Sequence, residues 1–149
     1  MSDTDSPAAL RCRGIRGATF VSEDSPEAIL DATRELLAAL AEANSINTDD
    51  IASVVFTTTP DLRSAFPARA ARQLGWVDVP LLGATEMDNS DPVERRERVV
   101  RVLLHWNTSC RQDEVVHVYL RGAEVMRSGD PPTHLSATGH PDASGAGHG

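Results

Sequence analysis

Lysine is absent from this 149-residue chain: all 14 basic residues are arginine, against 22 acidic residues, which gives a formal net charge of −8. An acidic chain is a poor partner for nucleic acid or an anionic membrane surface. Aromatic residues make up only 4% of the sequence, which leaves few side chains for stacking on bases. The composition is compatible with small carboxylates as ligands, because the arginine guanidinium binds a carboxylate through two parallel hydrogen bonds.

Cysteine is also scarce, since only Cys12 and Cys110 are present and their spacing fits neither a disulfide framework nor a metal site. Three of the five histidines lie in the C-terminal tail, and none are clustered at ligand spacing. The nucleophile elbow, the phosphate-binding loop, the dinucleotide fingerprint and the zinc-protease motif are all missing. The sequence therefore predicts no metal and no cofactor.

No apolar run is long enough to span a bilayer, and no signal-peptide core is present, so we expect a cytoplasmic protein. The length fits a single domain. Residues 1–10 are polar and aperiodic and predict a flexible arm, residues 11–127 form the domain, and residues 128–149 are rich in Gly, Pro, Ser, Ala and His and predict a disordered tail.

The apolar pattern predicts one long helix and one short helix among several strands. Ser25 is a suitable N-cap for the long helix, Pro26 suits its first position, and Asn44 is a plausible end. The short helix covers residues 67–75, and strands are predicted over 11–21, 51–57, 77–87, 99–107, 115–120 and 124–127.

This order predicts an α+β fold, with a mixed β-sheet covered by the two helices. The glycines of the first strand, Gly14 and Gly17, suggest a close backbone approach or a bulge, and Pro80 with Gly83 suggests an edge strand. One long helix cannot cover both faces of such a sheet. We therefore expect the other face to pack against further copies of the chain.

Five residues stand out singly, although each also fits a structural role. Arg16 and Arg101 lie within strands, where a charged side chain points to the open face or pairs with a carboxylate. Glu86 alone fits a surface carboxylate, Tyr119 a core residue and Phe66 an apolar anchor.

Taken together, the segments that hold these residues resemble the AroH class of monofunctional chorismate mutases. The resemblance rests on four motifs in family order over residues 11–127, most of the chain. They are Arg-Gly-Ile-Arg-Gly-Ala-Thr at 13–19, Thr-Pro-Asp-Leu at 59–62 with Phe-Pro-Ala-Arg-Ala at 66–70 and Arg72, Pro80 with Glu-Met-Asp at 86–88, and Arg-Val-Leu-Leu-His at 101–105 with His-Val-Tyr-Leu at 117–120.

The resemblance implies a bacillus-type chorismate mutase fold: a homotrimeric pseudo-α/β barrel with active sites at the subunit interfaces. It implies chorismate as substrate and prephenate as product, in aromatic amino-acid biosynthesis. Arg101 then donates to the ether oxygen of the breaking bond, and Glu86 accepts from the substrate hydroxyl. The remaining implied substrate contacts are Arg16 and Tyr119 at a carboxylate, Phe66 and Ala68 as apolar wall from the neighbouring subunit, Arg69 and Arg72 as basic residues, Met126 and Arg127 near the chain end, and Gly83 where the family often has cysteine.

The stretch between Glu86 and Arg101 departs from the family pattern, because the 89–98 segment is longer and more charged than usual. The length of this segment affects the orientation of Arg101, because a shift of one residue in the strand register would point Val100 or Val102 towards the site instead. Two alternatives remain open: a trimeric imine/enamine deaminase-like enzyme, and a non-catalytic trimer that binds metabolites.

Overall fold

A computed structural model describes residues 9–127, which form one five-stranded mixed sheet with two α-helices. The strands are β1 (Arg11–Phe20), β2 (Ile51–Thr58), β3 (Leu81–Thr85), β4 (Val99–Thr108) and β5 (Val118–Leu120), and the helices are α1 (Pro26–Asn44) and α2 (Ala68–Gln73). The sheet order is β3-β2-β4-β1-β5. The central β4 runs antiparallel to both β1 and β2, whereas β3 and β5 pair in parallel at the two edges.

Local signals fix both ends of α1. The Ser25 hydroxyl accepts a hydrogen bond from the amide of Ala28, and Pro26 occupies the first turn, where its missing N–H costs nothing. At the other end Ser45 adopts a left-handed conformation with φ 53°. The predicted bounds of this helix are thus confirmed.

The core lies between α1 and one face of the sheet. Alternate residues of the central strands point into it, among them Ile15, Val54, Phe56 and Leu104. A Cβ added at Gly17 would lie 3.0 Å from Leu40 Cδ1 and 3.2 Å from the Val118 carbonyl oxygen. The close backbone approach predicted for β1 is therefore found at Gly17, where the helix crosses the strand.

The opposite face of the sheet is only partly covered. A 3₁₀ turn (Ala123–Met126) packs on Ala18 and Tyr119 near β5. Leu82 of β3 is 65% exposed, and in loops outside the sheet Phe66 and Met87 are 81% and 80% exposed. The sheet therefore has one face covered by α1 and a second face that stays largely open.

The α+β prediction is confirmed, and three element predictions need correction. Residues 124–127 do not form a strand, because left-handed conformations at Arg121 and Gly122 reverse the chain and bring the 3₁₀ turn back onto the sheet. Strand β5 begins at Val118 rather than residue 115, and β3 begins only after Pro80, at the edge of the sheet.

The predicted tail, and all but the last two residues of the predicted arm, lie outside the described residues. Within residues 9–127 no helix is long and apolar enough to cross a membrane.

Candidate active site

Strand pairing places Arg101 at the centre of the open face. In the register of the sheet it lies between Ala18 of β1 and Thr57 of β2. Its neighbours Val100 and Val102 are buried on the helix side, at 0% and 3% exposure. The longer preceding segment has therefore not shifted the strand, and the arginine rather than a valine faces the open side.

Glu86 meets Arg101 from the end of β3. Its amide continues the sheet by donating to the Thr58 carbonyl oxygen at 2.7 Å. Its carboxylate accepts from the Thr57 hydroxyl at 2.7 Å and from Arg101 Nη1 at 3.2 Å. Because the side chains of Arg101 and Glu86 are 44% and 30% exposed, the ion pair contributes at most about 1 kcal/mol to stability. Its effect is to orient two opposite charges at one point of the face.

A cleft of about 280 Å³ opens around this pair, and we call it the Arg101 cleft. Its lining comprises Arg16, Gly17, Ala18, Val55, Thr57, Glu86, Arg101, Val102, Leu103, Tyr119 and Met126. Arg16 stands beside Leu103 in the strand register, so the floor is apolar between two guanidinium groups. The volume lies slightly below the range of about 300–1,000 Å³ for small-molecule sites, which fits a site lacking one wall.

Aromatic and cationic groups meet at one end of the cleft. Tyr119 is 6% exposed, and its ring lies 4.9 Å from the guanidinium carbon of Arg127. That separation is within reach of a cation–π contact. Arg16, Glu86, Arg101, Tyr119 and Met126 therefore share one cleft, with Arg127 stacked on its tyrosine.

The other candidates lie elsewhere in the protomer. Phe66, Arg69 and Gly83 line a separate cavity of about 550 Å³, which we call the Phe66 cavity. Ala68 is half-buried on α2, and Arg72 is exposed on the same helix. A single protomer does not bring these five residues to Arg101.

Sequence reasoning missed Thr57, which anchors Glu86. The alternation of side chains along β2 could have identified it: Val54 and Phe56 are buried on the helix side, so the next residue, Thr57, points to the open face. Its contact with Glu86 depends on the pairing of β2 with β3, which the local pattern does not contain.

His117 supports the strand that carries Arg16. Its Nδ1 accepts a hydrogen bond from the Arg16 amide at 2.9 Å, so this nitrogen must be unprotonated. Burial, followed by the charges of Arg16 and Arg127, lowers the pKa of His117 below its ordinary value.

This lowered pKa predicts a pH-dependent stability. Below about pH 6.5 His117 is protonated in the unfolded chain but not in the folded chain. The free energy of unfolding therefore decreases as the pH is lowered, until the pH reaches the folded-state pKa. In the variant His117→Asn the amide oxygen can still accept from Arg16 but does not titrate. Urea unfolding at pH 7.5 and pH 5 is expected to show a smaller loss for this variant than for the unaltered chain, and equal losses would contradict the prediction.

Comparison with known proteins gives a consistent result. A sequence model described as chorismate mutase type I matches residues 12–129. The chain is 55% identical over 116 residues to the chorismate mutase AroH of Thermus thermophilus, covering 77% of this chain and 93% of the relative. It is 40% identical over 116 residues to the chorismate mutase AroH of Bacillus subtilis (strain 168), covering 77% and 89%. A solved structure of a chorismate mutase from Clostridium thermocellum matches with a TM-score of 0.72 and 42% identity, over 76% of this chain and 98% of that one.

Proposed function

The chain belongs to the type I chorismate mutase family, and we propose that it rearranges chorismate to prephenate in the Arg101 cleft, with Arg101 and Glu86 as catalytic residues. It is thus an isomerase of aromatic amino-acid biosynthesis. The observation that supports the site best is the Arg101–Glu86 pair, held by Thr57 on the open face of the sheet. A cytoplasmic location stays a prediction.

The reaction suits fixed charges because it is intramolecular. One C–O bond breaks while one C–C bond forms, and no proton has to move. The protein therefore contributes by holding the flexible dicarboxylate in its reactive shape and by matching the charge that develops. As the C–O bond stretches, negative charge grows on the ether oxygen. A guanidinium at that oxygen stabilises the transition state more than the bound substrate.

The remaining groups of the cleft have complementary tasks. Glu86, already oriented by Thr57, accepts a hydrogen bond from the substrate hydroxyl. Arg16 and Tyr119 bind a substrate carboxylate, and Arg127 adds positive charge beside the tyrosine ring. Met126 supplies apolar wall at the same end.

We propose further that the missing wall comes from a neighbouring subunit of a homotrimer. The Arg101 cleft is small and open, and Phe66 is 81% exposed although it is a large apolar residue. A neighbour that applied Phe66 and Ala68 to the cleft would bury this surface and close the site. Gly83, Arg69 and Arg72 would then lie near the same interface.

The function is tested by following the loss of chorismate absorbance with purified protein, together with its native mass. We expect catalysed loss and a mass about three times the 16.0 kDa of the chain. Binding without turnover would favour the non-catalytic alternative, and turnover of an imine substrate instead would favour the deaminase alternative.

Mixed oligomers test whether the site is shared between subunits. Arg101→Ala disables the Arg101 cleft, and Phe66→Asp disables the apolar wall that the neighbouring subunit would provide; these are the two halves of the site. If the halves come from different subunits, unfolding and refolding the two variants together restores some intact sites and therefore some activity. Failure to regain activity, with trimers re-formed, would contradict a shared site.

A further inference from the structure

Arg96 differs from the other arginines of the charged 89–98 segment. Arg95 pairs with Asp88 at 3.0 Å, and Arg98 donates its Nε to the Val21 carbonyl oxygen at 3.1 Å. Arg96 donates Nη1 to the Glu94 carbonyl oxygen at 3.0 Å, and its Nε is buried with no hydrogen-bond partner among the described residues. Within residues 9–127 no carboxylate lies within ion-pair distance of its guanidinium.

The side chain of Arg96 is placed next to the catalytic pair. It lines a cavity of about 170 Å³, the Arg96 cavity, which shares Glu86 and Arg101 with the Arg101 cleft. Burial and the nearby charge of Arg101 lower the pKa of Arg96, and the negative charge of Glu94 partly opposes them; the guanidinium stays protonated at neutral pH. The guanidinium groups of Arg96 and Arg101 and the carboxylate of Glu86 thus line one cavity.

We propose that Arg96 contributes to substrate binding: its charge, held beside Arg101, strengthens the binding of the dianionic substrate. This inference rests on the function proposed above and adds a residue that neither the motifs nor the cleft lining contained. The attraction acts through a partly desolvated region, where charges are screened less than in bulk water.

The kinetic signature follows from where Arg96 lies. It lines its own cavity rather than the Arg101 cleft, so its charge attracts the substrate before and during the reaction alike. An interaction of equal strength in the ground state and the transition state changes KM and leaves kcat nearly unaltered. The same charge makes kcat/KM more sensitive to ionic strength.

The test uses Arg96→Gln with Arg95→Gln as its matched control, because both remove one positive charge from adjacent positions. We expect Arg96→Gln to raise KM about threefold to tenfold at low salt, with kcat within about twofold, and to flatten the dependence of kcat/KM on salt. Arg95→Gln is expected to stay within about twofold in both constants, because the Arg95 side chain is 46% exposed and solvent screens its charge. Arg96→Lys keeps the charge and should restore KM.

Three results would overturn the proposal: unchanged KM and salt dependence in Arg96→Gln, an equal effect in Arg95→Gln, or no rescue by Arg96→Lys. Thermal unfolding and native mass of each variant show whether a loss reflects folding, and Arg96→Met serves as the uncharged variant if Arg96→Gln does not fold. Failure of the unaltered protein to consume chorismate would contradict the proposed function and this inference with it, whereas an active unaltered protein with unaltered kinetics in Arg96→Gln would contradict this inference alone.

Discussion

Replacing Arg101 by alanine is expected to lower kcat about a hundredfold to a thousandfold, the range measured when one preorganised donor to a developing oxyanion is lost. The guanidinium stands at the centre of the open face, between Ala18 and Thr57, and its only described ion-pair partner is Glu86. Without it, the ether oxygen gains negative charge with no cation opposite. Stopped-flow or steady-state measurement of chorismate loss gives kcat and KM separately.

The fold should tolerate this substitution, because the side chain is 44% exposed and its ion pair adds little to stability. We therefore expect unchanged native mass and an unfolding midpoint close to that of the unaltered chain. Arg111→Ala is the matched control, since Arg111 also pairs with an acidic residue but lies 71% exposed on a surface turn. A kcat near the unaltered value in folded Arg101→Ala would remove Arg101 from the mechanism.

Arg101→Lys separates charge from shape. Lysine keeps a positive charge but lacks the planar fork that can hold Glu86 with one prong and the substrate with another. An activity between those of the unaltered chain and Arg101→Ala is expected.

The sequence was sufficient for the elements that carry their own signals. Ser25, Pro26 and Asn44 predict α1, because capping and proline preference act within one turn of the helix. The alternation in Val-Val-Arg-Val-Leu likewise predicts that Arg101 faces away from the buried valines. These are local effects, so a single sequence contains them.

Long-range pairing was not contained in the sequence pattern. Thr57 and Glu86 are 29 residues apart, and they meet only because β2 pairs with β3 in a particular register. The error at residues 124–127 has a similar origin, since an apolar segment after a turn is compatible with a strand or with a 3₁₀ turn. There the left-handed backbone at Arg121 and Gly122, and packing onto Tyr119, decide the outcome.

The site also depends on surface that one chain leaves open. The motif resemblance supplied Phe66, Ala68, Arg69, Arg72 and Gly83, but the protomer keeps them away from the Arg101 cleft. No local rule of sequence brings two faces of different subunits together. The mixed-oligomer experiment therefore tests the contribution of the neighbouring subunit, which neither the strand pattern nor the structure of one protomer contains.

Glu86→Ala is expected to be the second most damaging change, with kcat/KM reduced about thirtyfold to 150-fold, which corresponds to about 2–3 kcal/mol for a hydrogen bond to a charged group. Two functions are lost together, because the carboxylate both accepts from the substrate hydroxyl and orients Arg101 at 3.2 Å. Glu86→Gln keeps an acceptor but loses the charge, so it should retain more activity than Glu86→Ala. Unchanged kinetics in Glu86→Ala would remove this carboxylate from the mechanism.

Thr57→Val shows whether the orientation of Glu86 is itself important. Valine keeps the shape of threonine but removes the hydroxyl that donates to Glu86 at 2.7 Å, and we expect a loss of about threefold to tenfold, in keeping with one hydrogen bond of about 1 kcal/mol. If Thr57 acts only through Glu86, the double variant Thr57→Val with Glu86→Ala will be no slower than Glu86→Ala alone. Losses that multiply in the double variant would instead mean that Thr57 meets the substrate directly, and the anchoring of the pair would then need another explanation.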